Sequence, residues 1–185
     1  QGQLTAYRKF EVSGQLKSAT VFRALYSKRQ LYEVMVEFWS NHFSIYHQDG
    51  PVALLKTADD RDVIRPHALG NFKELLRASS KSPAMLVYLD NHTNVAGTPN
   101  ENYARELMEL HTLGVDGGYT EQDVKELSRC LTGWSIGRRG PEQGRFKFYP
   151  EFHDEGEKSL LGITVAADGG ISDGEIVIDF LAEHP

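Results

Sequence analysis

Asn100-Glu101-Asn102-Tyr103-Ala104-Arg105-Glu106-Leu107-Met108-Glu109-Leu110-His111-Thr112-Leu113-Gly114 is the stretch on which the reading of this chain turns. Its apolar residues recur at intervals of three and four, the period of a helix with one buried side. On a helical wheel Tyr103, Leu107 and Leu110 share that side, Ala104 and Met108 lie at its margin, and His111 falls inside it. Asn100 is placed to cap the helix, Glu101 stands in its first turn and Gly114 is its C-terminal stop. The opposite flank carries Glu101, Asn102, Arg105 and Glu109, with Glu101 to Arg105 and Arg105 to Glu109 spaced for ion pairs along the helix.

Outward from this rod the pattern repeats. Downstream, the Asp116-Gly117-Gly118 turn leads to Thr120 and Asp123, a capping box for a helix running to about Thr132. Upstream, Leu16 to Ser27 and Leu31 to Phe43 read as helices. In the second, Leu31, Tyr32, Met35, Phe38, Trp39 and Phe43 share a face opposite Glu33 and Glu37, with His42 in its middle. A short helix starts near Asp59 or Asp60 and ends before Pro66, since proline biases Arg65 towards a turn. Leu69 to Ser79 follows, then a helix with Ser82 as cap and Pro83 in its first turn. Asn91 to Asn100 reads as a loop.

The character changes at Gly133. Glycines, basic residues and alternating aromatics such as Arg145-Phe146-Lys147-Phe148-Tyr149 suit a β-hairpin or extended excursion. Ser172 and Asp173 offer caps for a last helix. The expectation is a mainly α fold, an orthogonal or irregular multi-helix bundle with a small β-hairpin insertion near residues 134–165. It is read as one helical domain over 1–185: helical over 3–133, irregular over 134–170, helical again over 172–184. The ends, Gln1 and Pro185, suggest a fragment of a longer protein.

Composition narrows the function classes. With 185 residues, 40% hydrophobic and 25% charged, the chain can bury a core. A formal charge of −6 argues against nucleic acid as a partner. No apolar run approaches the ~18 residues of a membrane span, and no secretory leader is visible in this stretch. Cys130 is the single cysteine and reads as a structural thiol among Leu127 and Leu131.

Two places carry candidate chemistry. Asn102, Arg105 and Glu106 with the Asp90-Asn91-His92 loop form a candidate cleft, in which Arg105 would hold an anionic group at two points. As ligand-binding residues this selects Asn102, Arg105, His92 and Asp90. As catalytic candidates it selects Glu106, Arg105 and Glu109. A buried imidazole must satisfy both ring nitrogens, so His42 and His111 are either satisfied core histidines or parts of a polar or metal centre completed by Glu106 or Asp90. His153, in His153-Asp154-Glu155-Gly156-Glu157, is a further candidate ligand beside solvated loop charge. The turn Asp116-Gly117-Gly118-Tyr119 lacks the oxygens of a calcium loop. No phosphate loop or nucleophile elbow is present.

Taken together, Phe38-Trp39-Ser40-Asn41-His42-Phe43, Ile64-Arg65-Pro66-His67-Ala68-Leu69-Gly70-Asn71-Phe72, the stretch from Asn100 to Gly114, Tyr119-Thr120-Glu121-Gln122-Asp123-Val124 and Leu131-Thr132-Gly133-Trp134 resemble a large bacterial family, domain of unknown function 1800. Phe152-His153-Asp154 and Lys158 to Gly162 fit the same pattern. The resemblance implies the central part of a longer bacterial protein associated with export or the cell envelope. It implies no activity and no cofactor. His111 stands where relatives carry an aromatic residue, which favours His42, Asn102, Arg105 and Glu106 over it.

Two functions remain open from the residues alone. One is a binding or assembly module with a protein partner or a small anionic ligand. The other is a hydrolase-like enzyme, with or without a metal, using Glu106 or Glu109, Arg105 and His42 or His153. The enzyme requires Asn102, Arg105 and Glu106 to converge on a pocket with a histidine; the module leaves these charges paired or flat on the surface.

Overall fold

Helix nucleation costs more than a short segment recovers, so the chain's many short helices persist because they share one apolar interior. In the computed structural model, which describes residues 2–46 and 50–184 and side chains from residue 11 onward, that interior runs from Val36 to Leu181. Gln1 and Pro185 lie outside the described residues. Helices α1 (Gly2–Tyr26) and α2 (Gln30–His42) form the outer corner. α3 (Val52–Asp59) continues through a π-helical turn, Asp60–Ile64, into the short α4 (Arg65–His67). α5 (Phe72–Ser80) and α6 (Pro83–Tyr88) follow, then α7 (Asn102–Glu106), which widens into a second π-helical turn, Leu107–Thr112. α8 (Glu121–Cys130) and α9 (Ile171–Glu183) complete the bundle, and no helix of the described residues is long and apolar enough to cross a membrane.

The β insertion lies where the alternating residues place it, but as two small antiparallel ribbons. β1 (Trp134–Ile136) pairs with β2 (Phe146–Phe148) and β3 (Lys158–Leu160) pairs with β4 (Ile163–Val165). Mainly α with a small β insertion is therefore the observed class.

Local signals explain most boundaries. The Thr120 hydroxyl accepts from the Asp123 amide while the Asp123 carboxylate accepts from the Thr120 amide, a complete capping box. Asn71 caps α5 through the Lys73 amide. Asn100 Oδ1 accepts from the Asn102 amide at 3.0 Å, starting α7 one residue later than expected. Gly114 stops the rod with φ of +85°, and its amide reaches back to the Met108 carbonyl at 3.1 Å.

Several expectations need correction. α1 runs far beyond Leu16 to Ser27 in the N-terminal direction. Arg65 is helical (φ −62°, ψ −44°), not a turn: the widened π turn carries the backbone past the clash Pro66 would make with the carbonyl four residues earlier. Leu110 is 57% exposed, because the π turn over Leu107–Thr112 advances the chain by less than an α-helical step and rotates it out while keeping His111 in. In α2, Leu31 and Phe38 are 70% and 53% exposed and only Val36 is buried; α2 is a corner helix whose partners cover one edge of the expected face. Ser82 occupies the cap position of α6 but donates its hydroxyl to Asp59 Oδ1 at 2.6 Å instead of capping. Neither Ser172 nor Asp173 caps α9; Gly170 takes that position and Asp173 is drawn into the interior by charged partners.

Candidate functional site

The rod from Asn102 buries Tyr103, Ala104, Leu107 and Met108, so Arg105 and Glu109 stand on its outer flank. Arg105 grips Glu121 of α8 at two points, 2.9 and 2.6 Å, and lies 3.4 Å from Glu101 and 3.8 Å from Glu109. Hydrogen bonds from Arg105 hold the Glu121 carboxyl below its usual range. Glu121 escaped the sequence reading because it meets Arg105 from another helix. The guanidinium is thus surrounded by three carboxylates on its own protein, and its two-point geometry is already used.

The other residues of the expected cleft point elsewhere. Asn102 Nδ2 donates to the Leu89 carbonyl at 3.2 Å, closing the end of the α6 segment. Asp90 is exposed in a left-handed turn, φ +61°. His92 lies 3.2 Å from the Leu86 carbonyl and presents its own carbonyl to the Ser135 hydroxyl. Glu106 is half-buried with no hydrogen bond or ion pair to a described residue. Of the pockets on the described surface, the four best formed are lined by none of Asn102, Arg105, Glu106 and Glu109.

His42 and His111 do approach one another, with ring centres 6.2 Å apart. The link runs through the backbone: His42 Nε2 donates to the His111 carbonyl at 3.0 Å. Phe43 and Phe72 pack against His42, and Phe43 also meets His111. His111 is 4% exposed and its Nδ1 finds no partner. Burial, reinforced by the neighbouring His42, pushes the His111 imidazolium down to about 4. Among the described residues no group of three or more His, Cys, Asp and Glu is arranged to hold a metal ion, so His42, His153 and Glu106 form no such set.

His153 belongs to a buried network that the sequence reading saw only in part. Its Nδ1 lies 2.8 Å from the Thr132 carbonyl and 3.2 Å from the Thr132 hydroxyl, and Nε2 lies 3.1 Å from Asp173 Oδ2. Lys158 Nζ reaches the same oxygen at 2.5 Å and also donates to the Asp154 carbonyl. The Lys158 and Asp173 side chains have no exposure. Outside them, Arg129 binds Asp154 at two points, 2.9 and 3.0 Å, and Glu126 at 2.6 Å. Arg129 accordingly holds the Asp154 carboxyl below its usual range. The missed signal was parity: in β3, Lys158 shares the inward face with Leu160, where a lysine needs a buried anion.

The most open chemistry lies at the first π turn. Asp60 lines two pockets, of about 420 and 550 Å³, on either side of α1. Among the described residues its carboxylate makes no hydrogen bond, and the cation within ion-pair distance is Arg23 at 3.8 Å. Desolvation raises its pKa, against the opposing pull of Arg65, Arg23 and Lys56. The buried Thr57 hydroxyl, facing the larger of the two pockets, also lacks a partner. Beside the 420 Å³ groove, α1 and α2 expose Val21, Phe22, Leu25, Tyr26, Leu31, Val34 and Phe38, each more than half accessible.

The model of a family described as "Protein of unknown function (DUF1800)" matches residues 3–185. No curated protein and no solved structure matches the chain.

Proposed function

The chain belongs to the DUF1800 family of proteins of unknown function, and from that premise we propose that it is an assembly module, one folded unit over 1–185, that pairs with a second copy through the α1–α2 corner. One observation carries the reading: seven large apolar side chains between Val21 and Phe38 stand more than half exposed on two adjacent helices. Isolated exposed apolar residues are ordinary, whereas a cluster of this kind marks a contact surface.

Charge supports a second copy as the occupant. Lys28 and Arg29 are exposed at the turn between the helices, and Glu37 is exposed further along α2. A two-fold axis crossing α2 between the turn and Glu37 would set the basic end of one corner against the acidic edge of the other, as a self-complementary interface requires. The net charge of −6 disfavours an anionic membrane as the alternative cover. A reaction at Glu106 and Arg105 draws no support from the geometry, since Arg105 is committed to Glu121 and no histidine among the described residues meets Glu106.

Sedimentation velocity over a concentration series tests this directly. The intact chain should show a mass that rises towards the dimer, and Phe22→Ser with Leu25→Ser should abolish the rise while leaving circular dichroism unchanged. A wild-type chain that stays monomeric at the highest concentration ends the proposal.

A further inference from the structure

We propose that Lys158 and Asp173 condense into an intramolecular amide, a covalent staple joining β3 to α9. Three features of the buried network point there. The amine and the carboxyl group are held together at 2.5 Å with no solvent exposure, so the reactants are positioned and bulk water is excluded. Lys158 Nζ donates to the single oxygen Oδ2 and His153 Nε2 stands 3.1 Å from it, while Asp173 Oδ1 is buried with no donor among the described residues. A carboxylate in that position is poorly served, because one of its oxygens bears the full cost of desolvation. Oδ1 lies 1.9 Å from where a Cβ on Gly169 would stand, so the carboxyl group packs directly against the glycine backbone.

The third feature is the state of His153. The Thr132 hydroxyl spends its hydrogen on the Arg129 carbonyl at 2.6 Å, so both Thr132 oxygens facing Nδ1 are acceptors and Nδ1 carries a hydrogen. Nε2 then faces Asp173 either as an imidazolium against a carboxylate or as a neutral ring against a carboxylic acid. Once the amide has formed, a neutral His153 is satisfied on both sides: Nδ1 donates to Thr132, and Nε2 accepts the new amide N–H.

The step balances without any further reagent. The Lys158 ammonium passes one proton to Oδ2, and the freed amine attacks the Asp173 carboxyl carbon. The C–Oδ2 bond breaks, and His153 Nε2 relays the second proton from nitrogen to the departing oxygen. Of the three ammonium hydrogens, one stays on the amide nitrogen and two leave in water. His153 touches the reacting oxygen and is the acid–base group; Thr132 and Asp154 are positioning residues.

Mass spectrometry of the intact purified chain is the test. The expected mass is one water below that of the sequence. Asp173 precedes Gly174, and cyclisation of that pair to a succinimide would lose the same water, so a tryptic digest decides the origin. With the amide present, trypsin does not cut after Lys158, and residues 148–185 are recovered as one peptide lighter by a water. Chymotryptic cleavage between β3 and Asp173 should leave the two pieces joined. Lys158→Arg should restore the full mass, and Asp173→Asn should form the same amide with loss of ammonia instead. A full-mass wild-type chain, or normal cleavage after Lys158 with the lost water on the 159–185 peptide, overturns the proposal whether or not the variants fold.

Discussion

The buried His111 imidazole makes the fold sensitive to acid. His111 is held neutral by burial and by His42, with its charged form pushed down to about 4. In the unfolded chain it would protonate near the ordinary histidine value of about 6.5. Between those values the unfolded state binds the extra proton, so stability is intact above the window and falls as pH drops through it, by up to about 3 kcal/mol. His111→Phe should flatten the Tm-against-pH curve between about pH 6.5 and 4; an unchanged slope would mean that other groups govern acid unfolding. Asp60 carries the opposite sign. Its folded pKa is raised by desolvation, so its ionised form is a penalty at neutral pH that fades as pH falls through that raised value. Asp60→Asn should therefore raise Tm at pH 7 and gain little at low pH, read by calorimetry at both values. Gly174 shows how little room the interior leaves, since an added Cβ would lie 2.4 Å from the Trp134 ring. Gly174→Ala should cost about 1–3 kcal/mol by overpacking, measurable as a shift in denaturant midpoint.

Among the elements, the clearest sequence signals are the caps. Thr120 and Asp123 stand in the order a capping box needs, and both reciprocal bonds form. Thr120→Ala should cost about 1 kcal/mol in urea unfolding, with α8 fraying first in amide exchange. The π turns left no comparable mark. Leu110 sits on the α-helical period of Tyr103 and Leu107, yet the widened turn puts it outside. Wheel arithmetic assumes a constant step, and tertiary packing changed that step. The same limit applies to Arg105: its partners along the helix were readable, but Glu121 comes from α8. With three carboxylates around one partly exposed guanidinium, Arg105→Ala should cost no more than about 1 kcal/mol. A much larger loss would assign it a role beyond surface pairing.

For the molecule as a whole, Leu107 lies with Met108, Leu127 and Trp134 in the apolar centre. Leu107→Ala should remove about 2–5 kcal/mol, and the loss should appear in one cooperative transition if α7, α8 and the β ribbons share that interior. The mainly α class, the position of the β insertion and the ordered run of helices were determined by the sequence alone, because period, caps and glycine stops act over a few residues. Which apolar faces stay bare was decided by tertiary structure: Phe38 obeys the same local pattern as Tyr32 and Trp39, yet only the latter two pack against the buried core. The same holds for the meeting of Lys158, Asp173 and His153. Each lies in a different element, Asp173 looked like a helix cap, and a buried charge is tolerated only where the assembled fold brings its counter-charges to it.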